Sequence, residues 1–316
     1  MAGYGKVDFF MINVVVLGGT GMLGSMVVDV LARNNNIKVT ATSRSSDLIN
    51  RFSKRAPEVN WDLLDVYSLD RNEIASVLAQ ADWVINAIGM TKPYAHDDNP
   101  MEVERAILVN ALLPFELSHV AGDRSTRIIQ IATDCVYDGI KGGYIESDPH
   151  NALDVYGKTK SLGEALLSNV NCLRCSIIGP EPKAYVSLLE WFRRQLKSAS
   201  VNGFTNHLWN GVTTLHFALV CQGVILQSID LPHLQHVIPD DAITKSDLLK
   251  GFAQDFHRED ISIQPVAAKT IIDRTLATTN KDLNQKLWDS AGYSVPPSVL
   301  KMVSELASFD YRFEGV

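Results

Sequence analysis

The stretch Ile12-Asn-Val-Val-Val-Leu-Gly-Gly-Thr-Gly-Met-Leu-Gly24 decides how this chain is read. A short β-branched run (12–18) stops in glycines, and the residues from about Gly21 to Asn34 then suit a helix, so strand, turn and helix follow one another directly. The glycines have separate tasks. Gly18 lets the chain turn sharply, Gly21 lets backbone N–H groups approach a pyrophosphate with no Cβ in the way, and Gly24 allows the helix to pack closely on the strand. In that context Gly18, Thr20, Gly21, Met22, Leu23 and Gly24 are the candidate cradle of a dinucleotide.

Working outward, the same alternation recurs. Strands are predicted at Ile37–Thr42, Trp83–Ala87, Arg127–Ala132 and Cys172–Ile178, and helices at Asn72–Ala79, Met101–Ala121 and Val155–Leu167. Continuous apolar strands between helices indicate a parallel sheet covered on both faces. The expected fold class is α/β: a Rossmann-like doubly wound parallel sheet with a smaller C-terminal substrate-binding lobe. Residues 1–178 are assigned to the dinucleotide-binding domain, with 214–245 returning to it. The smaller lobe takes 179–213 and 246–316, where the pattern turns irregular and aromatic. Residues 1–10 precede the first strand as a leader, an extraneous end or a disordered end.

The second strand runs out at Ala41-Thr42-Ser43-Arg44, where an acid would grip the ribose 2′-hydroxyl of NAD. No acid stands there. Ser43 can donate to a 2′-phosphate and Arg44 can pair with it, which favours NADP(H). By position, Asp62 and Leu63 are expected at the adenine edge, with Asn86, Ala87, Ile88, Gly89 and Ile178 along the rest of the cofactor.

Tyr156 and Lys160 are four residues apart at the start of a helix and so share a face. An ammonium close to a phenol would lower its pKa from about 10, and Tyr156 could then protonate a carbonyl oxygen while Lys160 orients the nicotinamide ribose. Thr133, at the end of the fifth predicted strand, is placed to hold that carbonyl, with Asn110 as a fourth, water-holding member. Cys172 and Cys175 could form a redox or metal pair by spacing. They lie in a predicted strand, however, where residues three apart face opposite ways, and no second pair or nearby His completes a metal set.

The 316 residues are 46% hydrophobic with a net charge of -7, enough to bury a large core and without the basic surplus that nucleic acid or an anionic membrane would need. The apolar run from Phe9 to Leu17 is too short to span a bilayer and has no cleavage-site pattern, so a cytoplasmic protein is expected.

Together, Asn86-Ala-Ile-Gly89, Val109-Asn110-Ala111, Thr133-Asp-Cys-Val-Tyr-Asp-Gly139, Tyr156-x-x-x-Lys160 and Leu173-Arg174-Cys-Ser176-x-x-Gly179, in this order after the glycine turn, resemble the extended short-chain dehydrogenase/reductase superfamily. Within it they are similar to the dTDP-4-dehydrorhamnose reductase-like, sugar-nucleotide-binding branch. The resemblance implies bound NADPH, a Thr133/Tyr156/Lys160 triad, reduction of a nucleotide-linked 4-keto-6-deoxy sugar, and a homodimer of the kind common in that superfamily. On this basis Lys92, Thr133, Asp134, Trp209 and Thr213 are candidate substrate contacts, and Lys92, Arg194 and Arg274 candidate diphosphate partners.

The chain also departs from the branch. Ile177 stands where the rhamnose-forming enzymes generally carry Trp, which leaves the sugar open, and Asp134 is followed by Cys135 rather than the second acid of the related dehydratases. Two further readings stay open: an epimerase that recycles its NAD(P), and a non-catalytic regulatory subunit.

Overall fold

The computed structural model describes residues 11–122, 125–164 and 166–315. The N-terminal segment 1–10 lies outside them. Strands β1 (Ile12–Leu17), β2 (Ile37–Ser43), β3 (Asn60–Leu63), β4 (Trp83–Asn86), β5 (Arg127–Thr133) and β6 (Val170–Cys175) alternate with helices α1 (Met22–Ala32), α2 (Ser46–Ser53), α3 (Arg71–Leu78), α4 (Pro100–Ala106), α5 (Leu113–Ala121) and α6 (Val155–Leu162). The strands pair in parallel in the order β3-β2-β1-β4-β5-β6. The order reverses between β1 and β4, which opens a crevice at the carboxyl ends of the strands, where ligands bind in such sheets. All of β4 and the last four residues of β1 are buried, as strands covered on both faces must be.

The rest of the chain adds β7 (Ile177–Ile178), α7 (Leu188–Arg193), β8 (Ser200–Phe204), β9 (His207–Trp209), β10 (Val212–Thr213), α8 (Thr214–Leu226), β11 (Leu234–His236), β12 (Ile243–Thr244), α9 (Lys245–Asp255), β13 (Ser262–Val266), β14 (Ile272–Asp273), α10 (Lys281–Ser290) and α11 (Val299–Ser308). Buried on nearly every face, α8 packs along α1, where Gln222 Nε2 donates to the Val30 carbonyl at 3.1 Å. β11 extends the main sheet beyond β6. The C-terminal tail returns to the same layer: Phe313 stacks on Phe52 at 4.6 Å, and the Arg312 backbone N–H and guanidinium both bond the buried carboxylate of Asp29. One apolar core runs from β1 through α8 to Phe313.

Three elements differ from the sequence reading, each for a local reason. The helix predicted over Met101–Ala121 is interrupted by a π-helical turn at Ile107–Leu112. Pro114 would meet the carbonyl of residue 110 in a regular helix, and the wider turn relieves that clash. Helix α6 ends at Leu162 rather than Leu167, because Gly163 tucks under the Asn110 carbonyl, which any Cβ there would overlap. The strand predicted over Cys172–Ile178 breaks at Ser176, where the chain leaves the sheet and Ile177–Ile178 pairs with β10 instead. Cys172 and Cys175 are both buried on opposite faces of β6, in different apolar clusters, and burial pushes the Cys172 thiol up to about 12.

Among the described residues no helix is long and apolar enough to cross a membrane.

Candidate active site

At the glycine turn the backbone itself forms the cradle. Gly18 takes a left-handed φ of 76°, and its N–H donates to Thr42 Oγ1 at 3.1 Å, while the Gly19 N–H donates to the Thr42 carbonyl at 2.8 Å, tying the loop to β2. A Cβ on Gly24 would overlap the Gly18 carbonyl oxygen. Gly21 caps α1 with no side chain, so the first-turn amides around Met22 and Leu23 have no side-chain acceptor. Such amides at a helix start favour an anion. The turn therefore fits a dinucleotide pyrophosphate on its own geometry.

Beside it, the buried hydroxyls of Thr20 and Ser43 lie 3.0 Å apart, and exposed Arg44 sets its guanidinium 5.3 Å from the Tyr67 ring centre. Asp62 and Leu63 stand exposed at the end of β3. Asn86 is turned inward: it donates to Gln130 Oε1 at 2.7 Å and accepts from the Ile88 N–H at 3.1 Å, so it shapes the Ala87–Gly89 loop.

At the reactive end, Tyr156 and Thr133 come together. The Thr133 hydroxyl also lies 3.3 Å from Asp134 Oδ1 and accepts from the Cys135 N–H at 3.1 Å. Burial holds the Tyr156 phenol well above its usual range, neighbouring Cys135, Asp134 and Asp154 push the same way, and only a hydrogen bond with Thr133 opposes them. This corrects the expectation that Lys160 lowers it. The Lys160 ammonium is instead turned onto the Ile131 carbonyl of β5 at 2.8 Å, and burial lowers its own pKa, with Glu164 opposing. A phenol in that setting keeps its proton through neutral pH, as a proton donor must.

Asn110 sits inside the π turn with its amide already committed. Its Oδ1 accepts from the Met90 N–H at 2.8 Å, and its Nδ2 donates to the Met90 carbonyl and to Thr159 Oγ1. Its side chain therefore clamps the post-β4 loop to α6 and has no free donor for water. Lys92 reaches Asp154, the cap of α6, at 2.7 Å.

The candidates from the second lobe divide. Trp209 is buried and donates to Ser176 Oγ at 2.8 Å, with Lys245 Nζ 5.4 Å from its ring centre. Asp134 is buried, which raises its carboxyl pKa, against Arg274 and Lys245. Thr213 caps α8 and pairs with His216 Nδ1 at 2.7 Å, while Ile178 is packed in the core. Arg194 lies 3.4 Å from the Tyr185 ring centre and 3.6 Å from Glu190, in the 180–194 segment.

Sequence reasoning missed Lys245. It opens α9 behind the Thr244 cap, a start signal that Thr244-x-x-Asp247 advertises, but its neighbours Asp134 and Cys135 come from more than a hundred residues away. Lys183 was missed as well, and its ammonium reaches Thr20 Oγ1 at 3.4 Å. Near the end of β6, fully buried Arg174 bonds Tyr137, His150, His236 and Glu164, a network beside the end of β5 that carries Thr133.

The sequence profile of the family described as RmlD substrate binding domain matches residues 12–306. A dTDP-4-keto-6-deoxy-D-glucose reductase of Streptomyces niveus is 30% identical over 151 residues, 48% of this chain and 45% of that protein. The methionine adenosyltransferase 2 subunit beta of Bos taurus is 23% identical over 274 residues, covering 82% of this chain and 77% of that one. The chain spans about half the length of the first curated relatives it matches. Among solved structures, a dTDP-4-dehydrorhamnose reductase of Bacillus anthracis in complex with NADP superposes with a TM-score of 0.70 at 16% identity, over 94% of this chain and 98% of that one. At that identity the likeness speaks for the fold.

Proposed function

Since the chain belongs to the RmlD substrate binding domain family, we propose that it is a reductase that uses NADPH to reduce the 4-keto group of a nucleotide-linked 6-deoxy sugar. The observation that carries the reading is the neutral, half-buried phenol of Tyr156 beside the Thr133 hydroxyl, at the strand ends next to a glycine turn shaped for a pyrophosphate. When bound, the nicotinamide supplies the hydride.

The chain's own groups do the rest. Thr133 holds the carbonyl oxygen, and Tyr156 gives it a proton as negative charge develops there. Lys160, which holds the Ile131 carbonyl in this structure, orients the nicotinamide ribose. Gly18 through Gly24 take the pyrophosphate, and Ser43 with Arg44 the ribose phosphate. The sugar nucleotide lies toward the smaller lobe, residues 179–213 and 246–316, with Asp134 near the sugar and with Lys92, Lys245 and Arg274 as the cations for its diphosphate. Trp209 serves as the wall behind Lys245.

The relatives with reductase names support this substrate class, including the Streptomyces niveus enzyme. A second reading, a non-catalytic regulatory subunit, draws on the longer alignment to the methionine adenosyltransferase subunit.

Tyr156→Phe separates proton donation from binding. Dinucleotide affinity should stay within about twofold while turnover falls about 10²–10⁴-fold, the usual worth of a placed acid. Normal turnover by this variant defeats the assignment.

A further inference from the structure

The segment 180–187 crosses from β7 to α7 in a costly shape. Ala184 and Tyr185 take consecutive left-handed φ values of 68° and 57°, where side chains with a Cβ each cost about 1 kcal/mol. Three contacts hold the shape. The Glu181 carboxylate accepts from the Val186 and Ser187 N–H groups at 2.8 and 3.0 Å, Arg194 stacks on Tyr185, and Pro180 and Pro182 stiffen the entry. Strain retained at a loop is often retained for what the loop presents.

What it presents is Lys183. The ammonium is carried back over the glycine turn to Thr20 Oγ1, whose other neighbour is Ser43 Oγ. Arg44 is close enough that its charge, together with partial burial, lowers the proton affinity of Lys183. Lys183 thus reaches the hydroxyl pair at the end of β2, and Arg44 follows Ser43 directly in the chain. Glu181, the acid nearest Lys183, is spent on its own loop's amides. Like charges brought together over neutral donors leave a place for an anion of high charge, and the end of β2 is where the adenosine 2′ position lies in this fold.

We propose that Lys183, on the strained 180–187 loop of the second lobe, closes over the 2′-phosphate of NADP(H) and holds it jointly with Arg44, Ser43 and Thr20. This rests on the cofactor reading above and adds a residue that the end of β2 alone does not supply. The preference for NADP(H) over NAD(H) is then set from both sides of the crevice.

The test is a pair of dissociation constants, for NADPH and NADH, measured by nucleotide fluorescence on the full chain as wild type, Lys183→Met, Lys183→Arg and Arg44→Met. Loss of one charged hydrogen bond corresponds to a roughly tenfold to hundredfold weakening. The expected result is that Lys183→Met weakens NADPH by that factor and leaves NADH within twofold, while Lys183→Arg keeps most of the NADPH affinity. Equal weakening of both dinucleotides, which would place Lys183 on the shared pyrophosphate, overturns the assignment, and so does no change in either. A wild type that binds neither dinucleotide defeats the cofactor reading itself, and the clasp with it; that outcome is distinct because it shows before any substitution is made.

Discussion

At the glycine-turn end of the crevice, recognition is built from backbone N–H groups, two hydroxyls and the charges of Arg44 and Lys183. At the other end the titratable groups are enclosed: Tyr156 is held protonated, Lys160 is turned onto a backbone carbonyl, and Asp134 is pushed toward its neutral form. The same sheet edge thus offers two environments. One places cations beside hydroxyls, which suits holding phosphates. The other disfavours charge, so the phenol holds its proton until negative charge develops on the substrate oxygen.

The largest expected effect comes from breaking the backbone-built end. Gly24→Ala places a methyl into the Gly18 carbonyl. Dinucleotide titration should show no saturable binding, and thermal unfolding should report a loss of about 3 kcal/mol or more. The variant sharpens the comparison if the environment of Tyr156, read from its near-ultraviolet spectrum, stays as in the wild type.

The enclosed end can be tested through its supporting network. His236 accepts from Arg174 at 2.9 Å and donates to the Ala277 carbonyl at 2.7 Å, and burial together with the Arg174 charge holds its pKa at about 4 against the ordinary 6.5. The unfolded chain therefore binds the proton first. Stability from this group is complete above pH 6.5 and is lost as pH falls toward 4, by about 3 kcal/mol over the window. Denaturant melts at pH 7, 5.5 and 4 should show that decline, and His236→Gln should flatten it. An unchanged slope would mean that the network is open to water.

The smallest effect belongs to a residue that the family resemblance made a candidate substrate contact. Thr213→Val removes the cap of α8 and should cost about 1 kcal/mol in thermal stability with no change in KM. A raised KM with unaltered stability would return Thr213 to the substrate site.

These contrasts also explain what could be read from the sequence. The glycine turn was legible because its constraints are local: Gly18, Gly21 and Gly24 each answer to backbone geometry within a few residues. The parallel sheet covered on both faces followed from the alternation of elements. The pairing of Thr133 with Tyr156 was legible through motif order, since strand ends and helix starts meet at one edge of an open sheet. The direction of the Tyr156 shift was not. It depends on how deeply the phenol is enclosed and on where Lys160 points, and both are set by packing. Lys245 and Lys183 were illegible for the same reason, since each becomes part of a site only when a distant segment folds back onto the crevice. Thr213 and Ile178 show what position alone conceals, since the structure gives them the work of a helix cap and of core packing.

The central claim is that this crevice carries out reduction, and cofactor stoichiometry tests it most directly. The wild type is incubated with a nucleotide-linked 4-keto-6-deoxy sugar and a known amount of NADPH, and oxidised cofactor and product are counted together. One NADPH consumed per sugar reduced is the expected result. Sugar interconverted with no NADPH consumed, or NADPH bound and never oxidised across a panel of such keto sugars, would contradict it.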